Sequence, residues 1–213
     1  MTAAMPRERS WSRVERARSL ASPAEAKALY RDWARHYDGD VYGDIKVTGT
    51  ARIAELLGSH LTDRSARIID LGCGTGAAGA ELKRAGFAHI DGLDLSPEML
   101  AVARSKAIYR HLIAADLLAS LAIADDGYDA AISAGTFTTG HVGAAAMPEV
   151  IRIVRPRGLI ACVIAQSFWQ AGGFEAVIRE LTEAGRLRIL HDSLEPVRQD
   201  GPPEGHFLVL QRY

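Results

Sequence analysis

The feature that most constrains this chain is a glycine-rich turn at the end of an apolar run. Residues 68–76 read Ile-Ile-Asp-Leu-Gly-Cys-Gly-Thr-Gly. Glycine accepts positive φ angles and has no Cβ, so glycines at alternate positions let the backbone turn sharply and lie against a ligand. The pattern predicts a strand, a turn and a helix around a nucleotide-like cofactor, with a tight structural turn as the alternative interpretation.

Strand and helix patterns alternate downstream of this turn. Strands are predicted over residues 66–71, 89–95, 111–115, 128–134 and 159–165, with helices over 77–84, 97–107 and 144–154. Ser96 and Pro97 form the N-cap and first position of one of these helices. Such alternation is typical of a doubly wound, Rossmann-like sheet whose strands are mostly parallel.

The C-terminal third has a different pattern. A helix is predicted over 173–184 and strands over 187–190 and 206–211, while the polar loop 199–205 between these strands contains no helix. Two strands joined without a crossover helix should pair antiparallel. The complete prediction is an α/β fold with a mostly parallel seven-stranded sheet that has an antiparallel C-terminal strand.

The residues before the first strand are expected to cover this sheet. Ser22-Pro23-Ala24-Glu25 is a capping box that predicts a helix toward His36, with an apolar face of Ala24, Leu29, Trp33 and Tyr37. A further helix is predicted over 47–57, with Ile53, Leu56 and Leu57 facing inward. The predicted organisation is an N-terminal extension (1–21), a helical lid (22–60) and one cofactor-binding domain (61–213).

Aromatic residues are concentrated in the predicted lid. Trp33, Tyr37 and Tyr42 lie close together in a chain that is only 7% aromatic. They indicate either ordinary packing of a helix onto the domain or a lid that closes over a ligand.

Composition excludes several classes of protein. The 213 residues carry 25 basic and 26 acidic side chains, so no net field favours nucleic acid or an anionic membrane. Cys73 and Cys162 have no partners at metal-ligand spacing, which predicts no metal and a reducing, cytoplasmic setting. No apolar run approaches the roughly 20 residues of a membrane span. The Arg-rich start contains Glu8 and Glu15, which favour a frayed or loosely docked helix over a transit peptide.

The residues around the turn narrow the choice of cofactor. No Gly-Lys-Ser/Thr follows the glycines, which excludes a P-loop. Gly72, Gly74 and Ala77 satisfy the looser dinucleotide pattern, but Asp70 would face a pyrophosphate unfavourably and would suit a cationic ligand. Asp94 can accept hydrogen bonds from ribose hydroxyls in either case. An adenosine-containing cofactor is predicted, and NAD remains an alternative.

Four segments in this order and spacing resemble the class I S-adenosylmethionine-dependent methyltransferases. They are Ile69-Asp70-Leu71-Gly72-Cys73-Gly74-Thr75-Gly76, Gly92-Leu93-Asp94-Leu95-Ser96-Pro97-Glu98-Met99, Ala115-Asp116-Leu117 and Val154-Arg155-Pro156-Arg157-Gly158-Leu159. Segments 33–38 and 135–142 look like the small methyltransferases named after the Williams-Beuren region. Arg157 departs from the family pattern, which has glycine there, so a less tight turn is expected.

The resemblance implies S-adenosylmethionine as cofactor and a set of contacts to it. The implied residues are Tyr37, Asp70, Gly72, Cys73, Gly74, Gly76, Asp94, Leu95, Met99, Asp116, Leu117, Ala134 and Gly135. The glycine turn, Ala134 and Gly135 would line the methionine part, and Tyr37 would reach its carboxylate. Asp94 would hold the ribose, while Leu95, Met99, Asp116 and Leu117 would surround the adenine.

Methyl transfer from a sulfonium is an in-line displacement that chiefly needs alignment in a dry pocket. A base is needed only when the nucleophile carries a proton, and His141 is the candidate for that base or for a substrate contact. A histidine bonded to loop backbone is the alternative interpretation.

The acceptor predicted from these features is a small organic molecule. Ala134-Gly135-Thr136-Phe137 is unlike the Asn/Asp-Pro-Pro-aromatic sequence of amino-directed nucleic-acid methyltransferases. An NAD-dependent oxidoreductase and a non-catalytic cofactor-binding protein remain as alternatives. The sequence specifies neither the acceptor atom nor the oligomeric state.

Overall fold

A computed structural model describes residues 6–20 and 23–213 of the chain. The helices are α1 (Pro6–Arg18), α2 (Pro23–Trp33), α3 (Gly49–His60), α4 (Ala77–Arg84), α5 (Pro97–Ser105), α6 (Met147–Ile153) and α7 (Phe174–Glu183). The strands are β1 (Arg67–Leu71), β2 (His89–Asp94), β3 (Leu112–Ala114), β4 (Tyr128–Phe137), β5 (Val154–Ala165), β6 (Leu187–Pro196) and β7 (Pro203–Arg212). A π-helical segment covers Gly39–Asp44, and short 3₁₀ turns cover Ala144–Ala146 and Gln166–Phe168.

The strands form a seven-stranded sheet in the order β3-β2-β1-β4-β5-β7-β6. β1 pairs in parallel with β2 and β4, and the same direction continues to β3 and β5. β7 is antiparallel to both of its neighbours, because it returns from β6 through a loop without a crossover helix. The predicted Rossmann-like sheet with an antiparallel C-terminal strand is therefore confirmed.

Helices cover both faces of the sheet, as the apolar central strands require. On one face, Ile53 and Leu57 of α3 and Leu82 of α4 pack against inward residues of β1 and β4. On the other face, α6 and α7 bury Val150 and Phe174. The predicted inward positions of α3 are thus confirmed, and α3 belongs to the helical layer on the sheet. None of the helices in the described residues is both long enough and apolar enough to cross a lipid bilayer.

β4 is longer than the sequence pattern indicated, because a bulge carries the strand past Ala134. Pairing with β5 runs from Ser133 opposite Cys162 directly to Phe137 opposite Ile164. The three residues between bulge out of the ladder, and Gly135 takes a φ of 82° there. The bulge lies where β4 ends beside β1, which is the point where the strand order reverses.

The turn around residue 157 has an arginine at the position where the family pattern has glycine. Arg157 adopts a φ of 64°, a left-handed conformation that normally favours glycine. A Cβ on the following Gly158 would lie only 2.7 Å from the Asp129 carbonyl oxygen. The lack of a Cβ on Gly158 therefore permits its close approach to Asp129, and the expectation of a less tight turn than in the family stays a prediction.

The N-terminal cap, which we define as residues 6–20 and 23–47, packs around its own small core. Trp33 and Val41 are buried in it, with Leu29 and Ala17 beside them. The predicted helix forms as α2, whereas its Ser22 cap and the Ala24 side chain lie outside the described residues.

The first helix is docked rather than frayed. Ser10 of α1 is only 1% exposed, and its hydroxyl lies 2.7 Å from the Asp44 carboxylate and 3.0 Å from that of Asp40, so the two carboxylates share its one proton. Arg13 forms an ion pair with Asp40, which also accepts from the Trp33 indole N–H. These contacts hold α1 over the π-helical segment.

Candidate active site

Two neighbouring cavities open at the carboxyl ends of β1 and β4, where ligands of doubly wound folds bind. We call them the turn cavity, which borders the glycine turn, and the cap cavity, which lies under α1 and the π-helical segment. The residues common to both are Tyr30, Tyr37, Ala134, Gly135 and His141. These shared residues form a partition across which two ligands could meet.

The turn cavity contains most of the residues implied for the cofactor. Its lining includes Tyr37, Gly72, Gly74, Asp94, Leu95, Met99, Asp116, Leu117, Ala134, Gly135 and His141. Asp70, Cys73 and Gly76 are not in this lining. The glycine turn therefore has two sides with different surroundings.

The side of the turn that faces the cavity has the bare backbone that a ligand needs. Gly72 has a φ of 68°, and a Cβ there would overlap the Thr136 hydroxyl. Gly74 has a φ of 51°, and a Cβ there would meet no atom of the described residues within 4 Å. Gly135 in the β4 bulge is open in the same way. Side chains at Gly74 and Gly135 would project into space that a cofactor could use.

The other side of the turn packs against Tyr109. Asp70 is 1% exposed, and its Oδ2 accepts from Tyr109 OH at 2.6 Å and from Gly79 N–H at 3.1 Å. Burial raises the pKa of Asp70 to about 7 against the lowering effect of these two donors. The expectation that Asp70 faces a cationic ligand does not fit this geometry, because the carboxyl group points beneath α4.

Cys73 and Gly76 lie on the same buried side. The Cys73 sulfur packs beside Gly92, where an added Cβ would lie 2.9 Å from Sγ. Burial raises the pKa of the Cys73 thiol, so the group is neutral. A Cβ on Gly76 would lie 3.1 Å from the Tyr109 ring. These positions serve the packing of the turn onto its neighbours.

Asp94 lies at the end of β2, directly across from the turn. Its Oδ2 accepts from Gly74 N–H at 2.8 Å and its Oδ1 from Ser96 N–H at 2.8 Å. A carboxylate has about four acceptor positions, so two remain for ligand hydroxyls. Burial raises the pKa of Asp94 despite these donors. Ser96, and not Asp94, caps α5 by accepting from Met99 N–H, as predicted.

Apolar and acidic residues lie at the far end of the turn cavity. Leu95 and Met99 line it beside the start of α5. Asp116 Oδ1 accepts from Leu118 N–H at 2.9 Å, which forms a local turn and leaves acceptor positions on the carboxylate. Leu117 is buried in the same wall. This end combines apolar side chains with one carboxylate, a surrounding that suits a purine with an amino group.

His141 and Tyr30 form a hydrogen-bonded pair in the partition. His141 Nδ1 lies 3.0 Å from the Thr139 carbonyl oxygen, which can only accept, so we assign the ring proton to Nδ1. Nε2 is then the acceptor for Tyr30 OH at 2.7 Å. Burial lowers the pKa of His141 and raises that of Tyr30, so both are neutral near pH 7.

The cap is tied directly to the glycine turn. Asp38 accepts from the Thr75 hydroxyl at 2.5 Å and from Lys106 Nζ at 2.5 Å. Thr75 is 1% exposed and lies between Gly74 and Gly76. Ala26 and Lys27 of α2 roof the turn cavity. At about 120 Å³ this cavity is smaller than the few hundred Å³ typical of ligand sites, so a nucleoside can enter only if the cap moves outward.

The cap cavity is larger, at about 500 Å³. Aromatic and aliphatic side chains dominate its walls, including Trp11, Trp33, Tyr42 and Phe137. Its charged residues are Arg18, Arg198 and Glu204. A mostly apolar chamber of this volume suits a small organic molecule.

Several of these residues were missed by sequence reasoning. Tyr30, Lys27, Trp11 and Arg198 line the cavities, but none belongs to a recognisable motif, and Thr136 lies in segment 135–142 without having been singled out. The one available signal was for Tyr30, which is seven positions before Tyr37 and therefore on the same helical face as Trp33 and Tyr37. Arg198 enters the site from the loop after β6, far away in sequence.

The family model and the curated relative that match this chain are both described as methyltransferases. Residues 68–158 match a family model described as a methyltransferase domain. Methyltransferase-like protein 27 of Homo sapiens is 30% identical over 184 residues, which cover 82% of this chain and 73% of the human protein.

Solved structures share the fold. The 1,6-didemethyltoxoflavin-N1-methyltransferase of Burkholderia thailandensis, crystallised with 1,6-didemethyltoxoflavin and S-adenosylhomocysteine, matches with a TM-score of 0.64 at 21% identity over 91% of each chain. A chain in the complex of the Haloferax volcanii Trm112 methyltransferase activator with a putative methyltransferase matches with a TM-score of 0.63 at 19% identity, covering 86% of this chain and 96% of that one.

Proposed function

The chain belongs to the class I S-adenosylmethionine-dependent methyltransferases, and we propose that its acceptor is a small organic molecule bound in the cap cavity. The cofactor is S-adenosylmethionine, whose sulfonium supplies an electrophilic methyl group. The observation that carries the proposal is the second, mostly apolar chamber that shares a wall with the turn cavity. The shared wall would bring the methyl group and an acceptor atom together across Gly135 and His141.

The residues around the turn cavity fit this cofactor. Gly72 and Gly74 would leave room for the methionine part, and Gly135 would do so from the opposite side. The remaining acceptor positions of Asp94 would bind the ribose hydroxyls. Leu95 and Met99 would lie beside the adenine, with Asp116 accepting from its amino group and Leu117 offering its N–H. Tyr37, partly buried in the partition, would donate to the methionine carboxylate, since its pKa is raised to about 12 by burial and by Asp94 and Asp38.

Tyr30 and His141 would remove a proton from an acceptor that carries one. The acceptor would donate to the Tyr30 oxygen, while the Tyr30 hydroxyl proton passes to His141 Nε2 along their 2.7 Å hydrogen bond. The imidazolium formed is stabilised by the Thr139 carbonyl and by the nearby charge of Asp94. His141 would therefore act through Tyr30 and not directly on the acceptor, as was predicted for the base, because its Nε2 already accepts from Tyr30 OH.

The closed cap favours a small acceptor over a macromolecule. α1 lies across the cap cavity and is held there by Ser10 and Arg13. A nucleic acid or protein would have to displace this helix to reach His141. The balanced charge of the chain offers no field that would compensate for such a displacement.

Transfer of a radiolabelled methyl group tests the proposal. The protein is incubated with labelled S-adenosylmethionine and with separate small-molecule, RNA and protein fractions of a cell extract. We expect label in the small-molecule fraction only, and its loss in Asp94→Ala. Label transferred to RNA or protein in preference to small molecules would contradict the proposed acceptor class.

A further inference from the structure

Arg198 is fixed at the wall of the cap cavity by four contacts. Its backbone bridges to Val47 of the cap, and its carbonyl oxygen accepts from Gly201 N–H at 3.1 Å. Its Nε lies 3.3 Å from Glu204 Oε1, and its guanidinium lies 5.2 Å from the centre of the Trp11 ring. The backbone contacts fix the position of the residue, and the ion pair and the ring contact hold its side chain.

The terminal nitrogens of this guanidinium have no hydrogen-bond partner among the described residues. Glu204 neutralises the side chain only from the Nε side, and the side chain of Arg198 remains 25% exposed. The end-on donors Nη1 and Nη2, which match the two oxygens of a carboxylate, are thus left over on a residue that lines a mostly apolar chamber. Such donors stabilise a ligand anion more strongly there than they would in water.

The charged residues around the cap cavity also favour an anionic ligand. Arg18, in the last turn of α1, also borders the cavity, so two arginines face one carboxylate there. The tyrosines and His141 in its walls are neutral. The lining residues therefore carry a net positive charge.

We propose that Arg198 selects an acceptor that has a flat, apolar body and an anionic group, such as a carboxylate, at the end remote from the methylated atom. The inference rests on the proposed function, since it assumes that the cap cavity holds the acceptor. Arg198 would bind the anion end-on while the aromatic walls cover the body. The opposite end of the body would then reach the partition at Tyr30 and His141.

Matched probes test this recognition of charge. Naphthoate and naphthamide have the same ring and nearly the same shape, but only naphthoate is an anion at neutral pH. Each is titrated by calorimetry into protein saturated with S-adenosylhomocysteine, so that neither can occupy the cofactor site. We expect naphthoate to bind about tenfold more tightly than naphthamide, as for a charged hydrogen bond in a shielded site.

Three variants locate the effect. Arg198→Met should remove the preference for naphthoate and leave naphthamide binding unchanged. Glu204→Gln should strengthen naphthoate binding by roughly threefold, because it removes the carboxylate that competes for the guanidinium. Arg188→Met, at an exposed position of β6 outside the cavity, is the matched control and should change neither affinity.

Equal affinity for the two probes in the wild-type protein, or a preference that survives Arg198→Met, would overturn the proposal. If Arg198→Met does not fold, an unchanged preference in Glu204→Gln overturns it instead. Methyl transfer to the small-molecule fraction is measured separately on the same protein preparations, without S-adenosylhomocysteine. Its absence alongside an intact naphthoate preference would refute the proposed function while supporting the anion site, so the two failures are distinguishable.

Discussion

The glycine turn and the N-terminal cap both border the turn cavity, but the two regions are held together differently. The turn is formed largely by backbone, and its surroundings fit so closely that a single Cβ at Gly72 would overlap Thr136. The cap is formed by side chains, with Asp38 and Asp40 accepting the main hydrogen bonds. The rigid turn therefore suits the cofactor, which is the same in every reaction cycle. The cap, held by side-chain contacts, suits a region that moves when ligands bind.

Glycine substitutions should give the largest difference between the two regions in the free energy of unfolding. Gly72→Ala combines a strained φ of 68° with an overlap at Thr136, so we expect a loss of roughly 4 kcal/mol in the free energy of unfolding. Gly39→Ala in the cap is the matched control, because a Cβ there meets no described atom within 4 Å and its φ is not positive. Urea denaturation measures both. Similar small effects at the two positions would show that the turn is as adaptable as the cap.

The buried Asp70 carboxyl group and the partly buried Asp40 carboxyl group should respond to pH in opposite directions. The folded pKa of Asp70 is raised to about 7 by burial, so its contribution to stability is present below the unfolded pKa of 3.8 and is lost as pH rises through about 7. Asp70→Asn should therefore gain roughly 4 kcal/mol relative to wild type between those limits. Denaturant unfolding at a series of pH values measures this difference.

Asp40 in the cap is the contrasting case. Although burial opposes it, hydrogen bonds from Arg13, Trp33 and Ser10 lower the pKa of Asp40 below 3.8. Its contribution is present above the unfolded pKa and is lost as pH falls through the folded pKa. Asp40→Asn should therefore lose stability relative to wild type at neutral pH and approach it in acid. Parallel pH profiles for the two variants would contradict the difference between the regions.

Removal of the ribose acceptor should weaken the cofactor site without unfolding the sheet. Asp94→Ala leaves the N–H groups of Gly74 and Ser96 without their acceptor and removes the positions for the hydroxyls. We expect S-adenosylhomocysteine to bind about 2 kcal/mol more weakly by calorimetry. Unchanged affinity would be incompatible with the ribose assignment, and circular dichroism checks that the variant is folded.

Loss of the hydrogen bonds between the cap and the turn should have the smallest effect on cofactor binding. Asp38→Ala removes the acceptor for Thr75 and Lys106, and we expect binding of S-adenosylhomocysteine to weaken by about 1 kcal/mol. Amide exchange across residues 30–42 should slow when the ligand is added to wild type, and less so in the variant. Asp32→Ala, at an exposed pair with Arg31, is the control. Ligand-independent exchange in this segment would mean that the cap is ordinary packing.

Sequence reasoning succeeded where structure is decided by neighbours along the chain. The helix after the turn was predicted with its observed bounds, 77–84, and the Ser96 cap follows from a local pattern. It failed where the partner is distant. Asp70 turns away from the cavity because of Tyr109, 39 residues later, and the partner of His141 is Tyr30, 111 residues earlier. Long-range partners like these leave no trace in local periodicity or spacing.

The partition between the cavities also bears on the order in which ligands come and go. Exposed residues border the turn cavity at Lys27 and Leu118, and different ones border the cap cavity at Arg18 and Pro203. Tyr30 of this partition belongs to the cap, however, which must move outward before a nucleoside can enter the turn cavity. The same movement would open the acceptor chamber, so the donor would bind first and the spent donor would leave last, in an ordered kinetic sequence.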